Sequence, residues 1–271
     1  MSQTVAQCMN RDLLVTNKNV TANQAIELLL KNNISHLILV DENKLTGVVS
    51  EKDFLEKLAS LRTWRIDIGS LHVSSFVKRK PFWAHPNMRL NEMISIMLKE
   101  NYGAVPVVDS GRVIGLITKE DLLKALKLPS KLAARDVATQ RLITLSVQDR
   151  AAYARRIIVD KLISAIPVVD KFKIIGILTD IRLLHALKRL YELTSWVERK
   201  ARFRRLIVQD IYERTFPEVA PETPIADLIE MFLSKHLKAV FVTEERNLLG
   251  IVTKSDLLVA AMWGTSNAQR T

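Results

Sequence analysis

The stretch Ala104-Val-Pro-Val-Val-Asp-Ser-Gly-Arg-Val-Ile-Gly-Leu-Ile-Thr-Lys-Glu-Asp121 places two short apolar runs on either side of a polar turn. Strand-forming runs separated by a few turn residues predict an antiparallel β-hairpin. A helical pattern, Glu120-Asp-Leu-Leu-Lys-Ala-Leu126, follows the hairpin directly. The stretch therefore predicts two paired strands and a helix that begins close to Thr118.

The same order of residues occurs four times along the chain. Each copy has two apolar runs, a glycine in the second run and a hydroxyl residue three positions later, and the glycines are Gly47, Gly115, Gly176 and Gly250. Upstream of every copy, apolar residues recur at spacings of three and four, which is typical of an amphipathic helix. Each unit is thus predicted to be strand, helix, strand, strand, helix. The fold class is α/β (α+β), with four repeats that each hold a small sheet and two helices.

A single unit of this size would leave much of its apolar surface in water, so we expect neighbouring repeats to pack in pairs. The division between the pairs is expected near Leu128-Pro129-Ser130, where a proline follows a helix. The first pair then spans 1–128 and the second 129–271. The four repeats are expected at about 5–60, 70–127, 134–190 and 206–262. A basic helical insert is expected between the third and the fourth repeat, at about 190–206.

Composition agrees with a folded protein and narrows its class. The chain has 271 residues, of which 48% are hydrophobic and 25% charged, and this excludes a chain too polar to form a core. Cys8 is the only cysteine, which excludes an intrachain disulfide and fits a reducing compartment. The sequence has no uncharged apolar run of about 18 residues and no signal-like start. A cytoplasmic location is therefore expected.

The net charge is +11, from 40 basic and 29 acidic residues. A basic surface of this kind suits an anionic partner, although solubility alone would also account for it. The segment Trp196-Val-Glu-Arg-Lys-Ala-Arg-Phe-Arg-Arg205 offers two alternatives. It is either a helix along a nucleic-acid backbone with Trp196 or Phe203 stacked on bases, or an amphipathic linker helix with docked aromatic rings and solvated arginines.

Three repeats carry a hydroxyl residue followed three positions later by an aspartate, as in Ser50 and Asp53, Thr118 and Asp121, and Thr253 and Asp256. This spacing is that of a helix capping box, which alone would justify both residues. The same geometry also suits a nucleotide. A helix N-terminus after a glycine turn offers free N–H groups to a phosphate, and an outward carboxylate can accept from two ribose hydroxyls.

The chain resembles the cystathionine β-synthase (CBS) domain family. The residues that carry the resemblance are Ala104-Val-Pro-Val-Val-Asp109, Gly115-Leu-Ile-Thr-Lys-Glu-Asp121, Ala165-Ile-Pro-Val-Val-Asp170 and Gly250-Ile-Val-Thr-Lys-Ser-Asp256. The family resemblance implies two pseudo-twofold Bateman modules that bind AMP, ADP, ATP or S-adenosylmethionine in clefts between paired repeats. It also implies a regulatory, energy-sensing role without catalysis or a required cofactor, an unknown protein target, and a homodimer formed through flat module faces.

The resemblance assigns site residues to the clefts, which we number by the repeat that supplies the hydroxyl. It places the hydroxyl and the aspartate in one repeat and the base contacts in its partner. The expected residues are, for cleft 4, Thr253, Ser255, Asp256, Thr139, Ile163 and Ser164; for cleft 2, Thr118, Asp121, Asn10, Ile34 and Ser35; and for cleft 1, Ser50, Asp53, Lys78, Tyr102 and Gly103. Tyr102 would either stack on a base or fill the pocket.

The third repeat departs from the pattern because Arg182 stands where the other repeats have aspartate. Arginine carries only donors and cannot accept from a ribose hydroxyl. With Thr179 beside it and His236 and Leu237 expected opposite, cleft 3 would be empty or would hold an additional phosphate. Fewer than four equivalent sites are therefore expected.

Other chemistry finds no support in the sequence. The five histidines form no pair at metal-binding spacing, so no metal site is expected. No P-loop, G-x-S-x-G or G-x-G-x-x-G string occurs, and Cys8 has no evident base, so the protein is not expected to be an enzyme. The remaining hypotheses are a nucleotide-binding regulator, an RNA- or DNA-binding protein that uses its basic surface, and an interaction scaffold without a ligand.

Overall fold

The computed structural model describes residues 3–60, 63–78, 80–126, 132–171 and 173–268, so the division expected at Leu128-Pro129-Ser130 lies outside the described residues. The first two repeats contain α1 (Val5–Cys8), β1 (Val15–Asn17), α2 (Ala22–Asn32), β2 (His36–Asp41), β3 (Lys44–Ser50), α3 (Glu51–Leu58), α4 (Leu90–Lys99), β4 (Ala104–Asp109), β5 (Arg112–Thr118) and α5 (Lys119–Ala125). The last two repeats contain α6 (Ala134–Val137), α7 (Ala151–Asp160), β6 (Ala165–Asp170), β7 (Lys173–Thr179), α8 (Asp180–Leu193), α9 (Trp196–Arg205), β8 (Glu218–Val219), α10 (Ile225–Lys235), β9 (Val240–Glu244), β10 (Asn247–Val252) and α11 (Lys254–Ala268).

The four predicted hairpins are present as antiparallel pairs β2–β3, β4–β5, β6–β7 and β9–β10. Their turns use left-handed backbone angles, as in Ser110 with φ 48° and Gly111 with φ 79°, which two-residue hairpin turns require. The leading strand that was predicted for every repeat is less regular. It runs parallel to the hairpin in repeats 1 and 4, but it shrinks to single bridges, Ala84 with Val107 and Leu145 with Val168, in repeats 2 and 3.

The segment that leads into each repeat crosses to the hairpin of its partner repeat. Thr139 exchanges backbone hydrogen bonds with Ile251 in both directions, at 2.9 and 3.0 Å. Gly250 permits this approach, because a Cβ atom there would lie only 2.8 Å from Ala138 Cβ. Glu213 pairs in the same way with Ile177, beside Gly176. The recurring glycine therefore allows one repeat to deliver side chains to the cleft of the other.

The helices are buried in apolar clusters that join one pair of repeats to the other. One apolar cluster joins repeat 1 to repeat 3, with Phe54, Leu55 and Leu58 of α3 packed with Leu184 and Leu187 of α8. A second cluster joins repeats 2 and 4. These apolar helical faces are thus buried against each other within one chain. Neighbouring repeats contact each other through their sheets, whereas the apolar helix faces are covered by the other pair.

The basic insert forms α9, which packs on the fold through a few buried residues. Phe203 is 4% exposed and its ring lies 5.3 Å from that of Trp64, and Trp64 also stacks on Tyr191 at 5.9 Å. Arg199 is buried and donates to the carbonyl oxygens of Trp64, Ile66 and Tyr191. The insert is therefore a docked helix, as one of the two alternatives predicted for Phe203, but Arg199 is buried rather than solvated and Trp196 is 54% exposed rather than docked. Within the described residues, no helix combines the length and apolar character needed to cross a bilayer.

Candidate functional site

The hydroxyl and aspartate pairs form capping boxes at the starts of α3, α5 and α11. In α11, Thr253 donates to Asp256 Oδ2 from its backbone nitrogen at 2.7 Å and from its hydroxyl at 2.6 Å. Thr118 and Asp121 form the same two bonds at 2.9 and 2.6 Å. Capping uses one carboxylate oxygen of each aspartate. The other oxygen, Oδ1, takes no part in the capping box.

In cleft 4, the side chain of the partner repeat reaches this second oxygen. Thr139 Oγ1 donates to Asp256 Oδ1 at 3.2 Å across 117 positions of sequence. Ser255 Oγ, one residue earlier, accepts a 2.7 Å hydrogen bond from Lys119 Nζ. The structure thus brings together Thr139, Thr253, Ser255 and Asp256 and adds a lysine from the other pair of repeats. An array of hydroxyls, a carboxylate and a cation suits a ribose next to a phosphate.

The other two residues expected in cleft 4 lie just before β6. Ile163 is half-buried and packs on the cluster that joins repeats 1 and 3. Ser164 accepts a 2.6 Å hydrogen bond from Lys52 Nζ and, through its backbone oxygen, a 3.0 Å bond from Asp180 N. Ser164 therefore borders a charged group that includes residues of repeat 1.

Cleft 2 has a similar framework with fewer side-chain contacts. Asn10 exchanges backbone hydrogen bonds with Leu116 at 2.8 and 2.9 Å, but its Oδ1 atom accepts from Asp12 N rather than facing Asp121. Ser35 accepts a 2.7 Å bond from Lys238 Nζ, and Ile34 packs in the repeat 1 and 3 cluster. Among the described residues, Asp121 Oδ1 has no hydrogen-bond donor. This carboxylate oxygen is free to accept.

Cleft 1 already contains a cation. Ser50 and Asp53 form the capping box at 2.7 and 2.5 Å, and Lys78 Nζ lies 2.9 Å from Asp53 Oδ1. Lys78 also pairs with Glu56. Tyr102 stacks on Phe82 with ring centroids 5.6 Å apart, and Gly103 lies against the ring of His36. The position that a ribose would use is taken by the ammonium group of the same chain.

Cleft 3 also holds an ion pair, in which the acidic and basic positions are exchanged relative to cleft 1. Arg182 Nε lies 3.1 Å from Glu213 Oε1, and Arg182 N donates to Thr179 Oγ1 at 3.3 Å as the helix cap. His236, which was expected opposite Arg182, instead has its Nδ1 atom 2.8 Å from Glu120 Oε1 in repeat 2. Leu237 packs in the repeat 2 and 4 cluster. Sequence reasoning missed Glu213, although it occupies the same position relative to the hairpin as Asn10, Lys78 and Thr139.

The residues that directly follow the four hydroxyls, Glu51, Lys119, Asp180 and Lys254, take part in two charged groups between the repeats. We call the set of Glu51, Lys52, Asp180 and Lys238 the first central group. Asp180, which is 1% exposed, bridges Lys52 at 3.0 Å and Lys238 at 3.2 Å, and Lys238 also binds Glu51 at 2.6 Å. These contacts join repeat 1 to repeats 3 and 4, so they hold the two pairs of repeats together.

Burial and mutual charge shift the pKa values in this group. Burial alone would raise the pKa of Asp180, but the charges of Lys238 and Lys52 hold that pKa well below its usual range. Burial and the neighbouring Asp180 carboxylate raise the pKa of Glu51 to about 8. Burial and the charges of Lys52 and Lys238 lower the pKa of His36 to about 4, so this histidine is neutral. Asp180 is therefore the principal negative charge of the first central group.

We call Lys119, Glu120, Lys254 and Ser255 the second central group. Lys254 Nζ lies 3.0 Å from Glu120 Oε2, whereas Lys119 bonds only the neutral oxygens of Ser255 and Asn101, at 2.7 and 3.3 Å. Burial, and next the charge of Lys52, lower the pKa of Lys119 to about 8. Within the described residues no carboxylate forms an ion pair with Lys119. Its ammonium group is thus available to an anion beside cleft 4.

Other candidate chemistry is not assembled. The described residues include no group of three or more histidine, cysteine, aspartate or glutamate side chains placed to hold a metal ion. Burial and the nearby Asp121 raise the pKa of the Cys8 thiol, which disfavours the thiolate.

The sequence profile of the CBS domain matches this chain four times, at residues 5–60, 73–128, 134–189 and 208–262. These matches cover most of the chain, and the protein therefore belongs to the CBS domain family.

Two relatives align with this chain over two thirds or more of their own length. An uncharacterised 33.4 kDa protein of Thermofilum pendens is 26% identical over 253 residues, which cover 84% of this chain and 81% of the relative. Protein MJ1225 of Methanocaldococcus jannaschii is 26% identical over 196 residues, or 66% of this chain and 68% of the relative.

The crystal structure of MJ1225, which has been proposed as an archaeal homologue of γ-AMPK, superposes with a TM-score of 0.84 and covers 95% of this chain and 99% of MJ1225. A conserved protein of Pyrococcus horikoshii superposes with a TM-score of 0.60 over 96% of this chain and 100% of its own. Identities in these superpositions are 19% and 20%, so they establish the shared fold of four repeats.

Proposed function

We propose that this protein is a non-catalytic regulator that binds an adenine nucleotide, foremost AMP, in cleft 4. The observation that carries the proposal is the convergence of Thr139, Ser255 and Asp256 with the unpaired cation of Lys119. Asp256 Oδ1 would accept from the ribose, and the phosphate would meet Lys119 and the N-terminus of α11. Cleft 2 is the second site, since Asp121 Oδ1 is free within the described part of the chain.

The ligand would act by shifting the packing of the repeats. In this proposal the two Bateman modules, 1–128 and 129–271, each supply one part of the phosphate environment. A nucleotide that contacts both modules binds one arrangement more tightly than others and therefore favours it. ADP, ATP and S-adenosylmethionine are further candidate ligands, and energy sensing in the cytoplasm through a protein target is the proposed setting. A homodimer formed through flat module faces is also part of this proposal.

Thermal shift with AMP and the Asp256→Asn variant tests the proposal. Asparagine can still accept the capping bonds of Thr253 through its amide oxygen, but it removes the charge that faces the ribose. AMP should raise the melting temperature of the wild-type protein. Its apparent affinity for Asp256→Asn, obtained from the same shifts, should be at least about tenfold lower. Asp53→Asn is the matched control, because it alters the same cap position in a cleft that Lys78 occupies.

Two outcomes would overturn this function. If no adenine compound changes the melting temperature, the capping boxes are only capping boxes and the protein is an interaction scaffold. If Asp256→Asn and Asp53→Asn respond to AMP as the wild type does, the nucleotide binds elsewhere.

Nucleic-acid binding is the second candidate function, and the exposed arginines Arg202, Arg204 and Arg205 favour it. The ring of Phe203 is buried, however, so it is not available to stack on a base. The salt dependence of binding distinguishes the two functions. RNA or DNA binding should weaken steeply as the salt concentration rises, and mononucleotide binding should weaken far less.

A further inference from the structure

The turn between α8 and α9 exposes an unusual number of large apolar side chains. Leu193 is 67% exposed, Val197 65%, Trp196 54% and Ile66, from the neighbouring segment, 37%. Arg65 lies over the Trp196 ring and Arg199 binds the carbonyl oxygen of Ile66, so both segments meet here. We call these four apolar residues the elbow patch. A contiguous apolar group on a protein surface commonly marks an interaction site.

The elbow patch rests on a rigid base. Trp64, Tyr191 and Phe203 are each at most 5% exposed and their rings are in contact. Tyr191 Oη also donates to the backbone oxygen of Leu58 at 2.7 Å, and Arg199 ties α9 to the 63–70 segment. The exposed apolar residues are thus held in place before any partner arrives, which lowers the entropic cost of binding.

Arginines border the elbow patch, next to a few carboxylates. Within the described residues neither Arg65 nor Arg199 forms an ion pair with a carboxylate, and Arg199 Nε has no hydrogen-bond acceptor. Both arginines, with Thr194 and Trp196, line a cavity of about 560 Å³ whose wall also includes Asp67 and Glu192. The basic residues Lys200, Arg202, Arg204 and Arg205 continue along α9, and among them Arg202 pairs with Glu198 at 3.5 Å.

We propose that the elbow patch is a docking surface for an acidic, amphipathic segment of a partner protein. The aliphatic side chains of Leu193 and Val197 suit the apolar side chains of a peptide, and Trp196 and Arg65 are of the residue types that dominate protein interfaces. Carboxylates of the partner would face Arg65 and the arginines of α9. Nucleic acid fits less well, because two of the three most exposed side chains are aliphatic and cannot stack on bases.

This surface is independent of the nucleotide clefts and is tested without nucleotide on the full chain. The probe is a synthetic fluorescein-labelled peptide with leucines on one helical face and glutamates on the other, and fluorescence anisotropy reports its binding. Val197→Asp should weaken binding at least about tenfold, and Arg65→Glu about three- to tenfold. Leu249→Asp is the matched control, since Leu249 is 42% exposed in repeat 4, and it should bind the peptide as the wild type does.

Three results would overturn the proposal. The first is no binding of the glutamate peptide at concentrations up to about 1 mM. The second is equal binding of a peptide in which lysine replaces every glutamate. The third is displacement of the glutamate peptide by single-stranded polyuridine with loss of RNA binding in Arg65→Glu, which would assign the surface to nucleic acid. Circular dichroism of each variant establishes that a loss of binding is not a loss of fold.

Discussion

Arg182 and Glu213 form an ion pair at 3.1 Å at the two positions that Asp256 and Thr139 occupy in cleft 4. In cleft 1 the same two positions hold Asp53 and Lys78, 2.9 Å apart, with the charges exchanged. The acidic and basic partners come from opposite repeats in both clefts. Two of the four clefts are therefore neutralised by the chain itself, and the other two retain an acceptor for a ligand.

Titration calorimetry should accordingly find fewer than four AMP sites in the wild-type protein. The double variant Arg182→Asp with Glu213→Thr rebuilds in cleft 3 the pair found in cleft 4, and it should add one site. The backbone pairing of Glu213 with Ile177 does not depend on the glutamate side chain, so the threonine should be positioned like Thr139. Arg182→Asp alone should add none, because it places two carboxylates face to face.

The reciprocal double variant supplies the control. Asp256→Arg with Thr139→Glu should remove one site from cleft 4 while it retains an ion pair across the cleft. Four equivalent sites in the wild-type protein would contradict the expected asymmetry.

Asp180→Asn should destabilise the protein more than Glu51→Gln. Asp180 carries the charge that compensates Lys52 and Lys238, and uncompensated buried charge costs about 3 kcal/mol. Glu51, whose pKa is raised to about 8, is largely protonated at pH 7, so glutamine is close to isosteric and isoelectronic with it. Urea unfolding at pH 7 measures both free energies, and a larger loss for Glu51→Gln would refute this assignment of charge.

Glu51 also makes stability depend on pH. Its folded pKa lies above the unfolded value, so the folded state holds more protons between pH 4.5 and about 8 and the contribution to stability is lost as pH rises through this window. Glu51→Gln should remove this part of the pH dependence of the free energy of unfolding.

The sequence predicts the hairpins and the capping boxes because each depends on neighbouring residues. Ser50 and Asp53 are three positions apart, and the turn at Ser110 and Gly111 needs only local backbone geometry. The opposing residue of cleft 4, Thr139, is also predicted, through the family resemblance. Glu213 could have been found by aligning the leading segments of all four repeats.

The two central groups cannot be predicted from residues that are close in sequence. Lys52 and Asp180 are 128 positions apart, and they meet only because α3 of repeat 1 packs on α8 of repeat 3. The sequence pattern predicts that helix faces are apolar but does not specify which repeat covers them. The packing of helices across the two pairs of repeats could therefore not be predicted from the pattern.

Phe203→Ala should cost about 3–5 kcal/mol in the free energy of urea unfolding, because it removes a buried ring that packs on Trp64. Trp196→Ala, on the same helix, should change it by about 0.5 kcal/mol or less, since its ring is more than half exposed. Equal effects of the two substitutions would mean that α9 is not anchored through Phe203.

Lys119 should make AMP binding weaken above pH 8. Its folded pKa is lowered to about 8 from 10.5, so between these values the unfolded state holds more protons and this lysine makes the ligand-free protein more stable as pH rises. A phosphate beside Lys119 favours its charged form and therefore raises its pKa in the AMP complex. When AMP binds near pH 8, the protein should therefore take up a proton. Calorimetry in buffers of different ionisation enthalpy measures the uptake directly.

Lys119→Met should abolish the proton uptake and weaken AMP binding about tenfold at pH 7. Lys44→Met, which alters an exposed lysine at the start of β3, is the matched control and should retain both properties. An unchanged pH dependence in Lys119→Met would show that the phosphate lies elsewhere. Loss of the dependence in that variant, with the fold intact, would mean that a lysine of the second repeat senses the nucleotide held by the third and fourth.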